Sequence, residues 1–381
     1  MRPFPAPNTK ESVLELPQQH QIPLTWLLEH GGPSIRYRVL LDVAPEEYAS
    51  PEVLAEAAEA VRGNRPAAST AKKQRPTGIW ASNMMGLAPS VAQGIRDVGT
   101  VAQYRRLLQL GWPADDRTFK LTSRVLFRLL SRDPDPALQF EFKKMVKESP
   151  VAEDWVRNNL REAASAALAE AGFNVDPRLR GSAHKTASAI SHFLRSPESE
   201  KPFVKSGQKY VLHPEAYPPT WYSLAMLASM PNLQRERAGF TERLGQYLAL
   251  PAPKRPVIIK LGKKTVRPAH VLLGNPIKAD ARGVTTDIPL ALHFINILAR
   301  IDALHTAPTA MRVLGRLLKE CDDTGVWHPK NLRSQPKGAD KASYHFFPLV
   351  PVDKAQTSRQ VDVTFRLALT AKLLGWQLEY T

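Results

Sequence analysis

Three aspartates stand where helices are predicted to begin, and a carboxylate there could act as an acid or a base. Asp97 and Asp362 are each followed by valine and lie 15 and 14 residues before a tryptophan that follows a glycine, which suggests two internally equivalent positions. Asp287 precedes another predicted helix. Aspartate is also a common N-cap, so catalysis and capping are both open. In a predicted loop, His345 follows Tyr344 and could do acid–base chemistry near neutral pH, or anchor the loop by packing.

Four further residues lie at or near predicted helix starts and could bind a ligand there. Thr100 and Arg359 belong to two of these starts, and the aromatic pair Trp221 and Tyr222 follows a third. Free N–H groups and the helix dipole favour anions at such positions. The aromatic rings could stack on a ligand, although aromatic residues on a buried helix are more often part of the hydrophobic core.

The sequence contains 52 Lys and Arg against 36 Asp and Glu, a net charge of +16 that permits an anionic partner. Part of the excess lies in residues 201–213 and 254–273, each predicted to form a basic β-hairpin inserted between helices. Lys205 and Lys209 are predicted to share one face of the first hairpin. The alternative to polyanion binding is a solvated edge whose charge protects the strands from aggregation. The residues predicted to bind a nucleic acid or another polyanion are Lys205, Lys209, Lys260, Lys263, Lys264 and Arg267.

Composition and motif searches exclude several classes of site. Cys321 is the only cysteine, so one chain supplies neither a disulfide nor a multi-thiolate metal site, and no metal site is predicted. The glycine-rich nucleotide-binding, His-Glu-x-x-His and Gly-x-Ser-x-Gly patterns do not occur, and no cofactor is predicted. The longest apolar stretch, residues 288–301, is interrupted by His293, Asn296 and Arg300. We therefore expect a cytoplasmic protein without a membrane span.

Apolar residues recur mostly at helical spacing, which predicts an all-α fold apart from the two hairpins. One helix ending recurs. Residues 110–117 and 171–178 both place Gly at the end of an apolar helix, an aromatic residue next, and three residues later an Asp that can cap the following helix, Asp115 and Asp176. This repetition is typical of an array of helical hairpins. Residues 328–356 are rich in Pro and Lys and predict a long loop.

Two further segments share the pattern Gly-x-Trp at the end of a turn. Residues 74–80 read Gln-x-x-x-Gly-x-Trp, and residues 321–327 have the same spacing with Cys first. They resemble the QW motif of the squalene–hopene cyclase, terpenoid cyclase and protein prenyltransferase superfamily, and residues 26–42 are similar to the start of squalene-cyclase-like proteins. The resemblance implies an α/α toroid over residues 25–376, with residues 1–24 as an extension and 377–381 as a tail. An open HEAT-like α-solenoid is the alternative.

In such a toroid, the amino-terminal ends of the inner helices are expected to face a central cavity. The catalytic signatures of the superfamily are not found: there is no Asp-x-Asp-Asp string, and Lys319 stands where a prenyltransferase zinc site has Asp. The first hypothesis is therefore a cyclase-like toroid of unassigned reaction that binds an anionic or amphiphilic ligand in its cavity. A nucleic-acid-binding protein, including one that processes bases, is the alternative, and an inert interaction scaffold is the third. The sequence leaves open whether the protein is an enzyme.

Overall fold

The computed structural model describes residues 15–87, 98–131, 135–330, 332–336, 338, 348–350 and 355–381. Asp97 and His345, two of the predicted catalytic residues, lie outside this described part. Within it the protein is mostly helical, as predicted, with two small β-sheets. None of the described helices is long and apolar enough to cross a lipid bilayer.

The α-helices follow one another with short connections in most places. In chain order they are α1 (Leu24–His30), α2 (Pro33–Asp42), α3 (Pro51–Arg62), α4 (Arg65–Lys72), α5 (Thr100–Leu110), α6 (Arg117–Leu130), α7 (Lys143–Glu148), α8 (Ala152–Glu170), α9 (Pro177–Phe193), α10 (Trp221–Ser229), α11 (Pro231–Arg235), α12 (Phe240–Ala249), α13 (Ile288–Arg300), α14 (Pro308–Leu318) and α15 (Gln356–Leu373). Proline occupies the first turn of many of them, including α2, α3, α9 and α14. Its fixed φ and missing N–H suit that position, so the prolines help to define where the helices begin.

Six of the described helices, α2, α5, α8, α10, α13 and α15, line a common interior. Each contacts the next in chain order, and α15 in turn contacts α2. Other helices pack against these six: α6 and α9 on α8, and α14 on α13. Buried aliphatic and aromatic side chains from both sets form one continuous core. The core therefore holds the six helices at fixed positions around the interior.

The predicted helix ending is confirmed at both places where it recurs. Gly111 and Gly172 follow α5 and α8 with φ of 77° and 84°, the left-handed conformation that glycine adopts without strain. Asp176 caps α9 as predicted, whereas α6 is capped by Asp116, one residue after the predicted Asp115; each side chain accepts a backbone N–H group two residues later. The α5–α6 and α8–α9 connections are therefore built alike.

The two Gly-x-Trp turns require glycine for the same two reasons. Gly78 has a φ of 83°, and a Cβ there would lie 2.7 Å from the backbone of Leu121. Gly325 has a φ of 90°, and a Cβ there would lie 2.1 Å from the carbonyl oxygen of Gln21. Both the left-handed backbone and the close approach exclude a side chain.

The tryptophans of these turns are fastened to the following cavity-lining helix in the same way. Trp80 and Trp327 are 2% and 1% exposed. The backbone N–H of Trp80 donates to Oγ1 of Thr100 in α5 at 3.0 Å, and the N–H of Trp327 donates to Oγ1 of Thr364 in α15 at 3.1 Å. The two turns are thus equivalent in conformation, in burial and in the hydrogen bond from the Trp backbone N–H to a threonine hydroxyl.

The strands form two separate sheets. They are β1 (Gln19–Ile22), β2 (Phe203–Ser206), β3 (Lys209–Leu212), β4 (Val257–Leu261), β5 (Lys264–Val266) and β6 (Gln377–Tyr380). The predicted hairpins are present as β2–β3 and β4–β5, and β3 pairs in parallel with β4 to give one sheet in the order β2-β3-β4-β5. The described residues between 328 and 350 contain no helix or strand.

The first hairpin has a different pattern of faces from the one predicted. Lys205 pairs with Tyr210, and Ser206 pairs with Lys209. Directly paired residues share a face, and neighbours along a strand alternate. Lys205 and Lys209 therefore lie on opposite faces, and the prediction that they share one face was wrong. The two-residue turn at 207–208 sets the register that separates them.

The terminal strands pair with each other. Residues 19–22 and 377–380, predicted to lie in an extension and a tail, form the parallel pair β1–β6. The backbone N–H of Thr25 also donates to the carbonyl oxygen of Thr381 at 3.0 Å. Helix α15 contacts α1 beside this pair. The first and last described elements therefore lie side by side.

Candidate functional site

A cavity of about 380 Å³ lies between the six helices that contact one another in succession. We call it the central cavity. Its apolar wall includes Leu41, Leu108, Ile297, Phe365 and Leu369. Its polar lining consists of Tyr37, Arg38, Asp42, Gln109, Glu170, Ser229, His293, Asn296, Arg300 and Arg366. Polar and charged groups therefore make up about half of the wall.

The lining comes mainly from the carboxyl-terminal halves of the helices. Examples are Arg38 and Asp42 of α2, Gln109 of α5, Glu170 of α8 and Arg300 of α13. The expectation that amino-terminal helix ends would face the cavity was therefore wrong. Helix carboxyl ends carry a partial negative charge that stabilises cations, which is one physical reason for arginine in this wall.

Both acidic side chains of the lining already have an arginine partner. Arg38 donates to the carboxylate of Asp42 one helical turn later, and to the carbonyl oxygen of Gln109 at 3.2 Å. Arg105, which is 4% exposed, donates twice to Glu170, with N···O distances of 2.5 and 2.7 Å. Such a bidentate pair fixes the direction of both side chains.

Arg300 differs from Arg38 and Arg105, because no carboxylate of the described residues lies within ion-pair distance of its guanidinium. The side chain keeps accessible surface while lining the cavity. Burial nevertheless lowers its pKa, and the attraction of Asp42 only partly counters that effect. A lowered arginine pKa means that the surroundings do not fully compensate the positive charge.

Arg366 is a second arginine of this wall and is more deeply buried than Arg300. It is 5% exposed, and burial lowers its pKa to about 10 despite the attraction of Asp362. The positive charge of Arg38 lowers the pKa further. The positive charges of Arg300 and Arg366 would both attract an anion in the central cavity.

Helix α13 supplies a neutral polar pair beside these cations. The ring of His293 lies 5.4 Å from that of Trp221, centroid to centroid. Burial, together with the charges of Arg105 and Arg366, lowers the pKa of His293 to about 3, so the imidazole is neutral at pH 7. Asn296 donates from its amide to Oγ1 of Thr370. The pair can accept or donate hydrogen bonds without adding charge.

The sequence contained a signal for this polar wall. His293, Asn296 and Arg300 interrupt the most apolar segment of the chain at spacings of three and four residues, which places them on one face of a helix. A polar face on an otherwise apolar, buried helix indicates a polar interior.

Trp221 and Tyr222, predicted to stack on a ligand, lie behind the cavity wall. They are 7% and 6% exposed and are not part of the described lining. Trp221 packs against His293, and the Tyr222 ring lies 5.8 Å from the guanidinium of Arg105. Both rings therefore support lining residues and do not themselves face the cavity.

Thr100 and Asp287 have local structural partners. Thr100 is fully buried, accepts the N–H of Trp80 and donates to the carbonyl oxygen of Asn83 at 2.8 Å. Asp287 caps α13 by accepting the backbone N–H of Leu290 at 3.0 Å. Neither residue is part of the described cavity lining. These contacts favour the capping interpretation of Asp287.

Asp362 lies within α15, which begins at Gln356, and therefore not at a helix start as predicted. It is fully buried and accepts the N–H of Leu349 at 2.7 Å and the amide of Gln335 at 3.1 Å. Burial raises its pKa. Arg359 donates to the carbonyl oxygen of Leu332 at 3.3 Å. Both side chains thus hold the preceding segment against α15.

The basic residues of the hairpins are mostly accessible and lie in one sheet. The exposed ones are Lys205, Lys209, Lys260, Lys263 and Arg267. Lys264 is half-buried and forms an ion pair with Glu148 of α7, so it is already partnered. The pairing of β3 with β4 brings the two basic hairpins together.

Outside the cavity, one group of described residues is compatible with a metal ion. The possible ligand atoms of Glu198, His213 and Glu215 lie within 4.8 Å of one another. All three side chains have accessible surface, and Nδ1 of His213 accepts the backbone N–H of Glu215 at 3.3 Å. Only the Nε2 atom of this histidine is therefore available to a ligand.

Comparisons with protein-family models, with curated proteins and with solved structures give no match for this chain. Function is therefore assigned from the chemistry of the central cavity. Guanidinium groups, a neutral imidazole and a carboxamide converge there on one accessible volume. This donor set is suited to the oxygen atoms of a carboxylate or phosphate.

Proposed function

We propose that this chain folds as an α/α toroid, in which six helices surround the central cavity. The supporting observation is the succession of helix contacts, which runs from α2 to α15 and returns to α2. In an open solenoid each repeat contacts only its neighbours, so its first and last repeats do not touch. The β1–β6 pair and the two equivalent Gly-x-Trp turns support the same proposal, including a relationship to the terpenoid cyclase and prenyltransferase superfamily.

Within this fold, we propose that the central cavity binds a small anionic molecule. The observation that carries the proposal is that Arg300 lines a cavity in which both acidic residues already have other arginine partners, and no described carboxylate lies within ion-pair distance of its guanidinium. The cavity volume of about 380 Å³ lies within the range of small-ligand sites. The ligand would supply the negative charge that the described residues do not place next to the Arg300 guanidinium.

The cavity wall favours a polar anion over an isoprenoid chain. A hydrocarbon would displace water from the guanidinium of Arg300 without replacing its hydrogen bonds, which costs on the order of 1–3 kcal/mol or more for a charged group. A ligand with carboxylate or phosphate oxygens would supply those bonds. We therefore propose a small carboxylate- or phosphate-bearing molecule as the ligand class.

Isothermal titration calorimetry with citrate and with pyrophosphate at low ionic strength tests this function. Arg300→Gln should weaken binding by about 10- to 150-fold, because removing a charge-assisted hydrogen bond costs about 1.5–3 kcal/mol. Arg180→Gln is the matched control, because Arg180 is exposed on α9 and does not line the cavity. It should bind as tightly as the unaltered protein.

Two results would contradict the proposal. Equal binding by the Arg300→Gln and Arg180→Gln variants would place the anion elsewhere. Failure of both citrate and pyrophosphate to bind would favour the inert scaffold, in which the arginines only compensate the helix carboxyl ends.

Nucleic-acid binding is the second candidate, and the joining of the two basic hairpins into one sheet favours it. A gel shift with short DNA and RNA should then respond to a double variant, Lys263→Gln with Arg267→Gln, because both residues are exposed. Binding should also fall steeply with salt, since phosphate contacts release counterions. If the double variant shifted DNA and RNA as strongly as the unaltered protein, this surface would be excluded as the nucleic-acid-binding site.

A further inference from the structure

A second pocket lies between α8 and the four-stranded sheet, and its lining has no residue in common with the central cavity. We call it the sheet pocket. Its volume is about 560 Å³. Most of its wall is apolar and includes Trp155, Val204, Val211, Ala216, Ile259 and Val271. The sheet pocket therefore offers a ligand a different chemistry from that of the arginine-lined cavity.

Part of this apolar wall is open to solvent. Val204 in β2 is 51% exposed although it lines the pocket. It pairs directly with Val211 of β3, which is 7% exposed, so the two valines share one face of the sheet. A ligand with a hydrocarbon portion would remove such surface from water, which is the main source of affinity for apolar groups.

The acidic residue of the sheet pocket already has its hydrogen bonds. Glu162 is 6% exposed and accepts from the hydroxyl of Tyr217 and from Oγ1 of Thr220, the latter at 2.8 Å. Each carboxylate oxygen therefore has a donor. Glu162 does not require a cationic group from a ligand, and its charge would repel an anionic one placed next to it.

The lysine of the sheet pocket has no charged partner among the described residues. Lys260 lines the pocket and is exposed, and no described carboxylate lies within ion-pair distance of its ammonium group. By the strand register, Lys260 lies on the same face as Val204 and Val211, because Ile258 pairs with Val211 and lies two residues before Lys260. One sheet face thus presents two apolar side chains and one cation to the same pocket.

We propose that the sheet pocket binds an anionic amphiphile. Its hydrocarbon chain lies against Val204 and Val211, and its head group pairs with Lys260, away from Glu162. Carboxylate and phosphate heads share this chemistry. The site is independent of the anion proposed for the central cavity, since the two linings do not overlap.

Calorimetry with dodecanoate and with dodecyl phosphate, each below its aggregation concentration, tests the site. Lys260→Gln should weaken both by about two- to fivefold, the range for an exposed ion pair. Lys205→Gln is the matched control, because Lys205 is an equally exposed lysine of the same sheet that does not line the pocket and lies on the other face. Comparing the two heads identifies the preferred anion.

The hydrocarbon contact has its own test. Decanoate should bind up to about 15-fold more weakly than dodecanoate, since each buried methylene contributes about 0.8 kcal/mol. Val204→Asp should also weaken dodecanoate binding, and because Val204 is half exposed, the variant should fold normally by circular dichroism. An unchanged affinity in this variant would refute the placement of the chain.

Two further results would overturn the proposal. If dodecyltrimethylammonium bound as tightly as dodecanoate, the head group would not be selected by Lys260. If neither dodecanoate nor dodecyl phosphate bound, the pocket would not be an amphiphile site. The Arg300→Gln variant separates this outcome from the central cavity, because it should weaken citrate binding and leave dodecanoate binding unchanged.

Discussion

The hydrogen bonds that fasten the two buried tryptophans to α5 and α15 should each contribute measurably to stability. Thr100→Val and Thr364→Val preserve the side-chain shape and remove the hydroxyl. In each variant a buried tryptophan N–H, which now donates at 3.0 or 3.1 Å, loses its acceptor. An unsatisfied buried donor costs about 1–3 kcal/mol, so we expect Thr364→Val to lower the free energy of unfolding by about 2 kcal/mol.

The Thr100 variant should be the more damaging of the two. Its hydroxyl also donates to the carbonyl oxygen of Asn83, in the segment before α5, at 2.8 Å. The Thr364 hydroxyl donates instead to Gln360 of its own helix, so its removal breaks no hydrogen bond between that helix and another segment apart from the one to Trp327. We therefore expect Thr100→Val to cost about 3 kcal/mol, as one additional hydrogen bond contributes about 1 kcal/mol.

Urea denaturation followed by far-ultraviolet circular dichroism measures these differences. Thr186→Val in α9 is the matched control, because Thr186 is 5% exposed and no described group is hydrogen-bonded to its hydroxyl. Because this change keeps the side-chain shape and leaves no donor or acceptor without a partner, its cost should be near zero. If all three variants had the same free energy of unfolding, the hydrogen bonds from the two turns to the threonine hydroxyls would not contribute to stability.

Other perturbations test the glycine turns and a buried histidine. Gly325→Ala should lower the free energy of unfolding by at least about 3 kcal/mol, because a Cβ there meets the backbone of Gln21. Gly172 has a similar φ but open space around it, so Gly172→Ala should cost only about 1 kcal/mol of backbone strain. Thermal unfolding of both variants measures the difference. Burial lowers the pKa of His270 to about 4, so the unfolded chain takes up a proton below pH 6.5 that the folded protein does not. The free energy of unfolding should therefore fall by about 1.4 kcal/mol per pH unit for this group between pH 6.5 and about 4. His270→Gln should flatten that slope in urea titrations across this range, and an unchanged slope would contradict the assignment.

Local sequence patterns predicted the local structure well. Gly111 and Gly172 could be identified as helix ends because the left-handed conformation is a property of a single residue. The caps could be placed at Asp176 and to within one residue of Asp116, because a cap acts over two or three residues. The two hairpins were also predictable, because the alternation and the turn residues lie close together in the sequence.

The site was harder to predict because it depends on which helix faces meet. The carboxylates at or near helix starts were the conspicuous residues, yet Asp287 caps a helix and Asp362 holds a neighbouring segment. Arg300 and Arg366 line the cavity, but neither belongs to a short motif. They lie on different helices and come together only through the succession of helix contacts. The wrong prediction for Lys205 and Lys209 had a similar cause: a shift of one residue in strand pairing moves a side chain to the opposite face of the sheet.

The pairing of β1 with β6 has a consequence for the biosynthesis of this protein. Gln21 and Glu379, whose side chains are hydrogen-bonded across the pair, are 358 positions apart in the chain. Translation proceeds at about 5–20 residues per second, so β6 is synthesised on the order of tens of seconds after β1. During that interval its backbone N–H and C=O groups form an open edge. Because β1 has only four residues, its unpaired edge offers little surface for aggregation during this interval. A chaperone that covers short open edges would be expected to raise the yield of folded protein.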